Sequence, residues 1–432
     1  MNLALTILLL VLVSGMLLRM PIGFSMLVSG IAYLLVKKQD IGLMAEQVGN
    51  GLYNSYVLLA VPLFVFAANI MNAGTVSERI FDFCRILVGR MRGGLAQVDI
   101  LVSVVFSGMS GSAIADAAGP GLVTIRQMLK KPGYTRGFAA AVVVASATLG
   151  PIIPPSIPMV IYALVSGASV GALFLGGVVP GLLMAALMMV VVHIIAVRRD
   201  MPRDEPVPRA EWPGLLLRGI LPLSMPIVLL GGIYSGAFTP TEAAAVAALH
   251  ALVLALLFRA LSWRSFWGVV LESARSSAVI TIILAGSFIL NYAFTAEGVP
   301  QAMASWAQGM QLSQVKFLLL VNLMFLVLGC FLDVSVLLLV FVPILIPAAK
   351  LLGIDLVHFG VLVVLNMMIG LITPPFGMLL FVTKALTGIP IGEMLREGWP
   401  FLVMLLLLLL VLTLFPQIVL WLPQTMGYGV AK

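Results

Sequence analysis

Long apolar stretches separated by short polar connections dominate the chain. A membrane-spanning helix needs about 20 mostly apolar residues, and several of these stretches reach that length. A backbone in lipid must satisfy its own hydrogen bonds, and leucine-rich runs such as residues 402–412 lack the alternation of a membrane β-barrel, so we predict helices. The predicted spans are residues 2–18, 21–36, 56–73, 134–166, 170–197, 219–236, 240–258, 277–294, 355–384 and 399–421.

Two further apolar segments, 94–130 and 318–349, are interrupted near their middle by small and polar residues. The first contains Ser-Gly-Met-Ser-Gly-Ser at 107–112, and the second runs from Gly329 to Ser335. A helix that stops and restarts at such residues predicts a re-entrant hairpin, which is tolerated where protein or water covers the broken backbone. The expected fold is therefore an all-α polytopic membrane protein with ten spans and two hairpins.

Composition supports a membrane protein. The chain of 432 residues is 62% hydrophobic and 9% charged, whereas an ordinary soluble domain is about 25% charged. This excludes soluble enzymes and nucleic-acid-binding proteins. The two cysteines, Cys84 and Cys330, imply no disulfide framework.

The basic residues predict an orientation. If the N-terminus is outside and each hairpin returns to the side where it starts, 19 of the 24 Lys and Arg residues fall on the inner side. Basic residues concentrate on the cytoplasmic side of membrane proteins, so this topology is favoured. An even number of spans then places both termini on the periplasmic side. The five outer basic residues are Lys37, Lys38, Lys316, Lys350 and Lys432.

The two halves of the chain resemble each other at an offset of about 220 residues. Residues 150–156 read Gly-Pro-Ile-Ile-Pro-Pro-Ser and residues 370–376 read Gly-Leu-Ile-Thr-Pro-Pro-Phe. We therefore predict two repeats, 1–215 and 216–432. Each holds five spans, of which 134–166 and 355–384 are broken, and one hairpin. An odd number of spans inverts the second repeat, and inverted repeats with broken helices are typical of secondary transporters with a site near the midplane.

The breaks and the hairpin tips are the candidate sites. Paired prolines interrupt a helix and free its carbonyl oxygens, which suit a hard cation such as Na⁺, while a half-helix N-terminus suits a carboxylate substrate. We predict one Na⁺ site per half, where a hairpin tip faces the broken helix of the same half; the alternative is that these residues only permit kinks and tight packing. The candidates are Ser107, Gly108, Ser110, Gly111, Ser112, Asp116, Gly150, Pro151, Pro154 and Pro155 in the first half, and Gly329, Asp333, Ser335, Asn366, Gly370, Thr373, Pro374 and Pro375 in the second.

Several polar residues keep two interpretations. Asp116 and Asp333 could each ligate Na⁺ or cap a helix start. Candidate substrate contacts are Ser110, Ser156 and Thr373. Five asparagines are predicted to form hydrogen bonds between helices: Asn69, Asn72, Asn291, Asn322 and Asn366. One of them, Asn366, could also contact the cation or the substrate.

An enzyme must also be considered. Residues 108–111, Gly-Met-Ser-Gly, resemble the nucleophile motif of rhomboid intramembrane proteases, with Ser110 as the nucleophile. That chemistry needs a histidine within hydrogen-bond reach, and the candidates are His193, His250 and His358. The internal repeat has no role in such a protease, and the sequence contains no ATP-binding loop, so we favour a transporter without an organic cofactor.

Taken together, residues 107–116, 150–156, 353–360 and 373–375 resemble the large membrane subunit of tripartite ATP-independent periplasmic (TRAP) transporters, and the resemblance covers essentially the whole chain. It implies a Na⁺-coupled importer of organic acids, such as C4-dicarboxylates, sialic acid or sugar acids, that works by an elevator mechanism in the bacterial inner membrane. It also implies two partners, a small membrane subunit on a separate chain and a periplasmic substrate-binding protein. The alternative transporter is a self-sufficient one that needs no binding protein.

Overall fold

The computed structural model describes residues 3–73, 76–203 and 207–428. Within these ranges the regular elements are helices. One isolated β-bridge pairs Arg92 with Arg203. The predicted class, an all-helical membrane protein, is confirmed. Lys432 and the chain termini, whose side of the membrane was predicted, lie outside the described residues.

Seven described helical segments are long and apolar enough to cross a membrane. The other apolar helices have 10–17 residues, and they include the parts of the two broken helices. The seven segments are Tyr56–Ala73, Val170–Arg198, Arg209–Tyr234, Pro240–Leu257, Trp263–Ala296, Val334–Leu351 and Ile391–Leu414.

The described part of the first half contains eleven α-helices and one π-helical turn, π1, which lies within the first hairpin. In chain order they are α1 (Leu3–Leu17), α2 (Ile22–Val36), α3 (Gly42–Tyr53), α4 (Ala60–Ala73), α5 (Val76–Val88), α6 (Gly94–Ser110), α7 (Ala113–Asp116), π1 (Ala117–Gly121), α8 (Leu122–Leu129), α9 (Arg136–Ser146), α10 (Ile157–Ser166) and α11 (Val170–Arg198).

The second half has a matching order of elements, with a second π-helical turn, π2, in its hairpin and a single helix, α14, where the first half has α3 and α4. The division into inverted repeats stays a prediction. The elements are α12 (Trp212–Tyr234), α13 (Pro240–Leu257), α14 (Trp263–Ala296), α15 (Val299–Gly309), α16 (Gln314–Gly329), α17 (Val334–Val336), π2 (Leu337–Phe341), α18 (Val342–Leu351), α19 (Leu356–Leu371), α20 (Met378–Thr387), α21 (Ile391–Leu414) and α22 (Gln417–Thr425).

Two predicted spans start too late for one reason: charged residues do not end a helix that can expose them or pair them. The span predicted at 277–294 belongs to α14, which begins at Trp263 and runs for 34 residues. Helix α3 was not predicted at all. The span predicted at 399–421 begins at Ile391 and ends at Leu414, and its early charges are paired, as in the contact of 2.7 Å between Arg199 and Glu397.

The helices pack in two groups. Helices α1–α4 and α12–α14 are called the frame; they pack mainly on one another, except that α12 packs as closely on α5 as on α13 and also contacts α6. The hairpins and broken helices form the second group: α6 packs on α9 and α11, α16 on α19, and α9 on α21. At one end of the frame Glu297 accepts a hydrogen bond of 2.9 Å from Tyr33 and pairs with Lys37 at 2.6 Å, which ties α2 to the end of α14.

Candidate functional site

The first broken helix is interrupted between α9 and α10. A 3-10 turn over Ala147–Leu149 ends α9, and α10 restarts after Ser156, whose hydroxyl accepts a hydrogen bond of 3.2 Å from the Met159 N–H. The Pro154–Pro155 peptide bond between them is cis. Because proline has no N–H, this stretch leaves carbonyl oxygens without intrahelical partners.

The second broken helix is interrupted between α19 and α20. The Thr373 hydroxyl donates to the Ile369 carbonyl at 2.6 Å, and the Pro374–Pro375 peptide bond is again cis. Phe376 stands where the first half has Ser156, and its ring lies 5.8 Å from that of Phe331 in the second hairpin tip. The two breaks therefore share a cis bond between paired prolines but differ in the residue that follows the prolines.

The first hairpin tip packs on the first break. Gly111 ends α6 with a φ of +60°, and a β-carbon there would overlap the carbonyl oxygen of Pro155. A β-carbon on Gly150 would lie 3.1 Å from the carbonyl carbon of Ser112. The backbone of the hairpin tip therefore contacts the backbone of the break directly. Only glycine, which has no side chain, permits the two segments to lie so close together.

The second tip meets the second break in the same way. A β-carbon on Gly370 would lie 2.8 Å from the carbonyl oxygen of Gly329. In both halves the structure thus brings the predicted tip glycine against the predicted break. Whether Na⁺ occupies these junctions stays a prediction.

The oxygen atoms at these junctions fit a hard cation. The hydroxyls of Ser107 and Ser156 each donate their hydrogen to a carbonyl of their own segment at 2.5 Å, as Thr373 does. A hydroxyl that donates its hydrogen still presents lone pairs to a cation. Together with the carbonyls of the proline stretches, these residues form a set of oxygen ligands without nitrogen or sulfur, which suits Na⁺.

The two hairpin acids differ in their surroundings. Asp116 is 1% exposed, and neither carboxylate oxygen has a hydrogen-bond partner within the described residues. Asp333 is partly exposed and accepts a hydrogen bond of 2.8 Å from the Ser335 N–H, so it caps α17. The start of α7 is capped by Ser112, which accepts from the Ala115 N–H at 3.3 Å. Asp116 is therefore free of any capping role.

Sequence reasoning missed a second buried acid in the first hairpin. Asp99 on α6 is fully buried, accepts a hydrogen bond of 2.6 Å from the Ser146 hydroxyl of α9, and interacts electrostatically with Asp116. The sequence does contain a signal for it, because Asp99 lies inside the apolar segment 94–130. Burying an acid in a membrane costs free energy, so such a residue is expected to be functional.

A cavity of about 660 Å³ lies between the hairpin tips and the frame. Neither Lys, Arg nor His occurs among its described lining residues, and two of them, Glu272 and Asp333, are acids. Of the predicted substrate contacts, Ser110, Ser156 and Thr373 lie outside this lining, whereas Ser112 and Ser335 belong to it. The polar lining residues are Asn69, Asn72, Ser112, Glu272, Ser276, Asp333 and Ser335.

All five asparagines form hydrogen bonds between helices, as predicted. Asn69 donates to the Ser273 hydroxyl at 2.9 Å. Asn322 donates to the Thr413 hydroxyl at 2.8 Å, and Asn366 donates to the Asn322 carbonyl at 2.9 Å, which links α16, α19 and α21. The bonds of Asn72 and Asn291 reach the hairpins and are described below.

Two of the three candidate histidines have partners other than Ser110, and the third, His193, is exposed while Ser110 is buried. His250 lies 2.9 Å from the Ser224 hydroxyl, and the His358 ring nitrogen lies 2.9 Å from the Leu412 carbonyl oxygen. Ser110 is fully buried, and its hydroxyl accepts a long bond of 3.5 Å from the Ser112 N–H. This geometry gives no support to the protease alternative.

Comparison with known proteins identifies relatives across the whole chain. Residues 9–418 match the family described as "Tripartite ATP-independent periplasmic transporter, DctM component". The chain is 41% identical over 413 residues to the sialic acid TRAP transporter large permease protein SiaM of Vibrio cholerae, covering 95% of this chain and 96% of that one. It is 42% identical over 373 residues to the C4-dicarboxylate TRAP transporter large permease protein DctM of Pseudomonas aeruginosa, covering 86% and 87%.

Solved structures share the fold at low identity. The YdaH transporter of Alcanivorax borkumensis gives a TM-score of 0.60 at 17% identity, covering 87% of this chain and 88% of that one. MtrF of Neisseria gonorrhoeae, from a class of antimetabolite efflux pumps, gives 0.61 at 15% identity, covering 88% and 85%. Both are membrane transporters, and the two curated relatives described above are named as permeases, not enzymes. The chain belongs to the DctM family and is a large permease subunit of a TRAP transporter.

Proposed function

We propose that this permease imports an organic acid across the bacterial inner membrane together with Na⁺. The observation that carries the proposal is the arrangement of the two hairpin tips, each of which packs on the broken helix of its own half and contributes to a single cavity of about 660 Å³. Such a cavity is large enough for a small organic acid. Broken helices at matching positions supply carbonyl oxygens for ions beside it.

The charge of the cavity supports coupling to Na⁺. An organic acid brings at least one negative charge into a space lined by two acids and, among the described lining residues, by no basic side chain. Burying an unpaired charge costs several kcal/mol, about the penalty for one uncompensated ion. Bound Na⁺ at the adjacent junctions would offset that charge, so loading ion and substrate together is favourable.

Two partners complete the proposed transporter. The curated relatives are named as large permease proteins, which implies a small membrane subunit beside this chain and a periplasmic protein that delivers the substrate. One relative is named for sialic acid and another for C4-dicarboxylates, at nearly the same identity. Selectivity therefore rests on the delivering protein, and its ligand identifies the substrate.

The packing supports an elevator movement. The frame helices other than α12 pack mainly on one another, whereas the hairpins and broken helices form a second group. Two groups with separate internal packing can slide past each other and carry the cavity from one side of the membrane to the other.

Reconstituted uptake tests the proposal. We expect proteoliposomes that contain this chain and its small subunit to accumulate substrate only when the binding protein and an inward Na⁺ gradient are both present. Initial rates with external Na⁺ and with external K⁺ at equal ionic strength are the measurement. Unchanged uptake in K⁺ would exclude Na⁺ coupling. Uptake by this chain alone would instead favour the self-sufficient transporter.

A further inference from the structure

Two asparagines of the frame reach across to the hairpins. The side-chain N–H of Asn72 on α4 donates to the Ala115 carbonyl at 3.2 Å, just before π1. The side-chain N–H of Asn291 on α14 donates to the Leu339 carbonyl at 3.2 Å, within π2. The two asparagines lie at matching positions of the two halves, their acceptors lie on either side of the start of a π-helical turn, and each contact joins the frame to the hairpin of its own half.

Both acceptors lie close before a proline of the hairpin. Pro120 lies within π1, five residues after Ala115, and Pro343 is the second residue of α18, four residues after Leu339. Proline has no N–H, so each of these stretches lacks one backbone donor. Each asparagine adds a side-chain donor to such a stretch.

The side chain of Asn72 also lies directly against the backbone of Gly119 in π1. A β-carbon on Gly119 in π1 would overlap the side-chain oxygen of Asn72. The absence of a side chain at Gly119 is what lets the amide approach the backbone of the turn. Asn72 therefore contacts the first hairpin at two points, the Ala115 carbonyl just before π1 and the backbone of Gly119 within it.

The neighbouring asparagine on α4 provides a contrast. Asn69, three residues before Asn72, bonds to Ser273 on α14 and so stays within the frame. The bonds of Asn322 and Asn366 join helices of the second group. Of the five asparagines singled out in the sequence, only Asn72 and Asn291 connect the frame to the hairpins.

We propose that Asn72 and Asn291 are positioning residues that hold the two hairpins at one height against the frame and release them when the hairpins move. The inference rests on the proposed function, because it assumes that the hairpins slide along the frame during transport. Each contact is worth one buried hydrogen bond, which is strong enough to bias a conformation and weak enough to break in every cycle.

A reversible cross-link tests the movement. The change Asn72→Cys with Gly119→Cys, in a chain with Cys84→Ser and Cys330→Ser, places two thiols where the side chain of Asn72 now meets the turn. We expect oxidation to join them, to lower uptake about tenfold or more, and to be reversed by dithiothreitol. Uptake that stays unchanged in the cross-linked protein would overturn the proposal, because the contact would not need to break.

A second variant tests the hydrogen bond itself. In the same double-cysteine chain, Asn291→Ala should slow formation of the cross-link about tenfold, because the remaining contact no longer holds the hairpins in this position. Asn291→Gln keeps the amide and should slow it less, and Asn69→Ala should leave the rate unchanged. Equal rates for Asn291→Ala and Asn69→Ala would refute the positioning role.

The cross-link rates do not depend on transport. They are measured in purified, detergent-solubilised protein whose folding is checked by gel filtration, so they remain interpretable if Na⁺-driven uptake fails. Uptake by the unmodified chain with its partners tests the proposed function separately.

Discussion

Gly111→Ala is expected to abolish most Na⁺-driven uptake. Alanine at a φ of +60° costs about 1–2 kcal/mol of backbone strain. The larger effect is steric, because the new β-carbon would overlap the Pro155 carbonyl oxygen, and neither backbone can move aside by changing a rotamer. The first tip must then separate from the first break. We expect the initial uptake rate per folded protein to fall about tenfold or more.

Gly167→Ala is the matched control for this prediction. Gly167 ends α10 with a φ of +72°, so alanine there meets the same kind of strain, but nothing lies within 4 Å of the added β-carbon. We expect uptake to fall by less than about threefold, since only backbone strain is added. If the two variants lose uptake equally, the junction between tip and break has no special role.

Asp116→Asn is expected to weaken the dependence of uptake on Na⁺. Asp116 is buried without a hydrogen-bond partner among the described residues, and its charge would be costly unless a cation lies beside it. Asparagine keeps the shape and removes the charge. We expect the Na⁺ concentration for half-maximal uptake to rise about tenfold, measured at constant ionic strength.

Asp333→Asn is the control for a hairpin acid that caps a helix and is not expected to bind the cation. Asp333 caps α17 through the Ser335 N–H, and asparagine is about as good a cap as aspartate. Because this variant removes one of the two cavity acids but leaves the tip-break junctions unchanged, the Na⁺ concentration for half-maximal uptake should change by less than about threefold. A normal Na⁺ dependence in Asp116→Asn would mean that Asp116 is protonated in the membrane and is not a cation ligand.

The breaks and tips could be predicted from the sequence because their causes are local. Paired prolines interrupt a helix in any surroundings, and a run of glycine and serine ends one. The close approach of Gly111 to Pro155 follows from the same residues, since glycine at a helix end often marks a point where another backbone passes. The class of fold could be predicted from apolar length alone.

Other features depend on distant residues and could not be predicted in this way. Helix α14 continues through Glu272 and Arg275 because these side chains are exposed, which a local count of charges cannot reveal. The different roles of Asp116 and Asp333 depend on which residue precedes each short helix. The pairing of Asp99 with Ser146 joins positions 47 residues apart. The frame bonds of Asn72 and Asn291 likewise require the packed structure.

The length of α14 has a consequence for the surrounding lipid. A helix of 34 residues is about 51 Å long at 1.5 Å per residue, whereas a bilayer including its headgroups is about 40–45 Å thick. Lys37 and Glu297 lie at the end of this helix, and Glu272 and Arg275 are exposed in its first half. The 21 residues between Arg275 and Glu297 are about 31 Å long and match a hydrocarbon core about 30 Å thick. The first 13 residues, with the exposed Trp263 and Trp267, therefore extend beyond the core. A thicker bilayer would draw this charged start towards the core or stand α14 more upright, and we expect the shift of Asn291 against its hairpin to change the resting position of the transporter with lipid chain length.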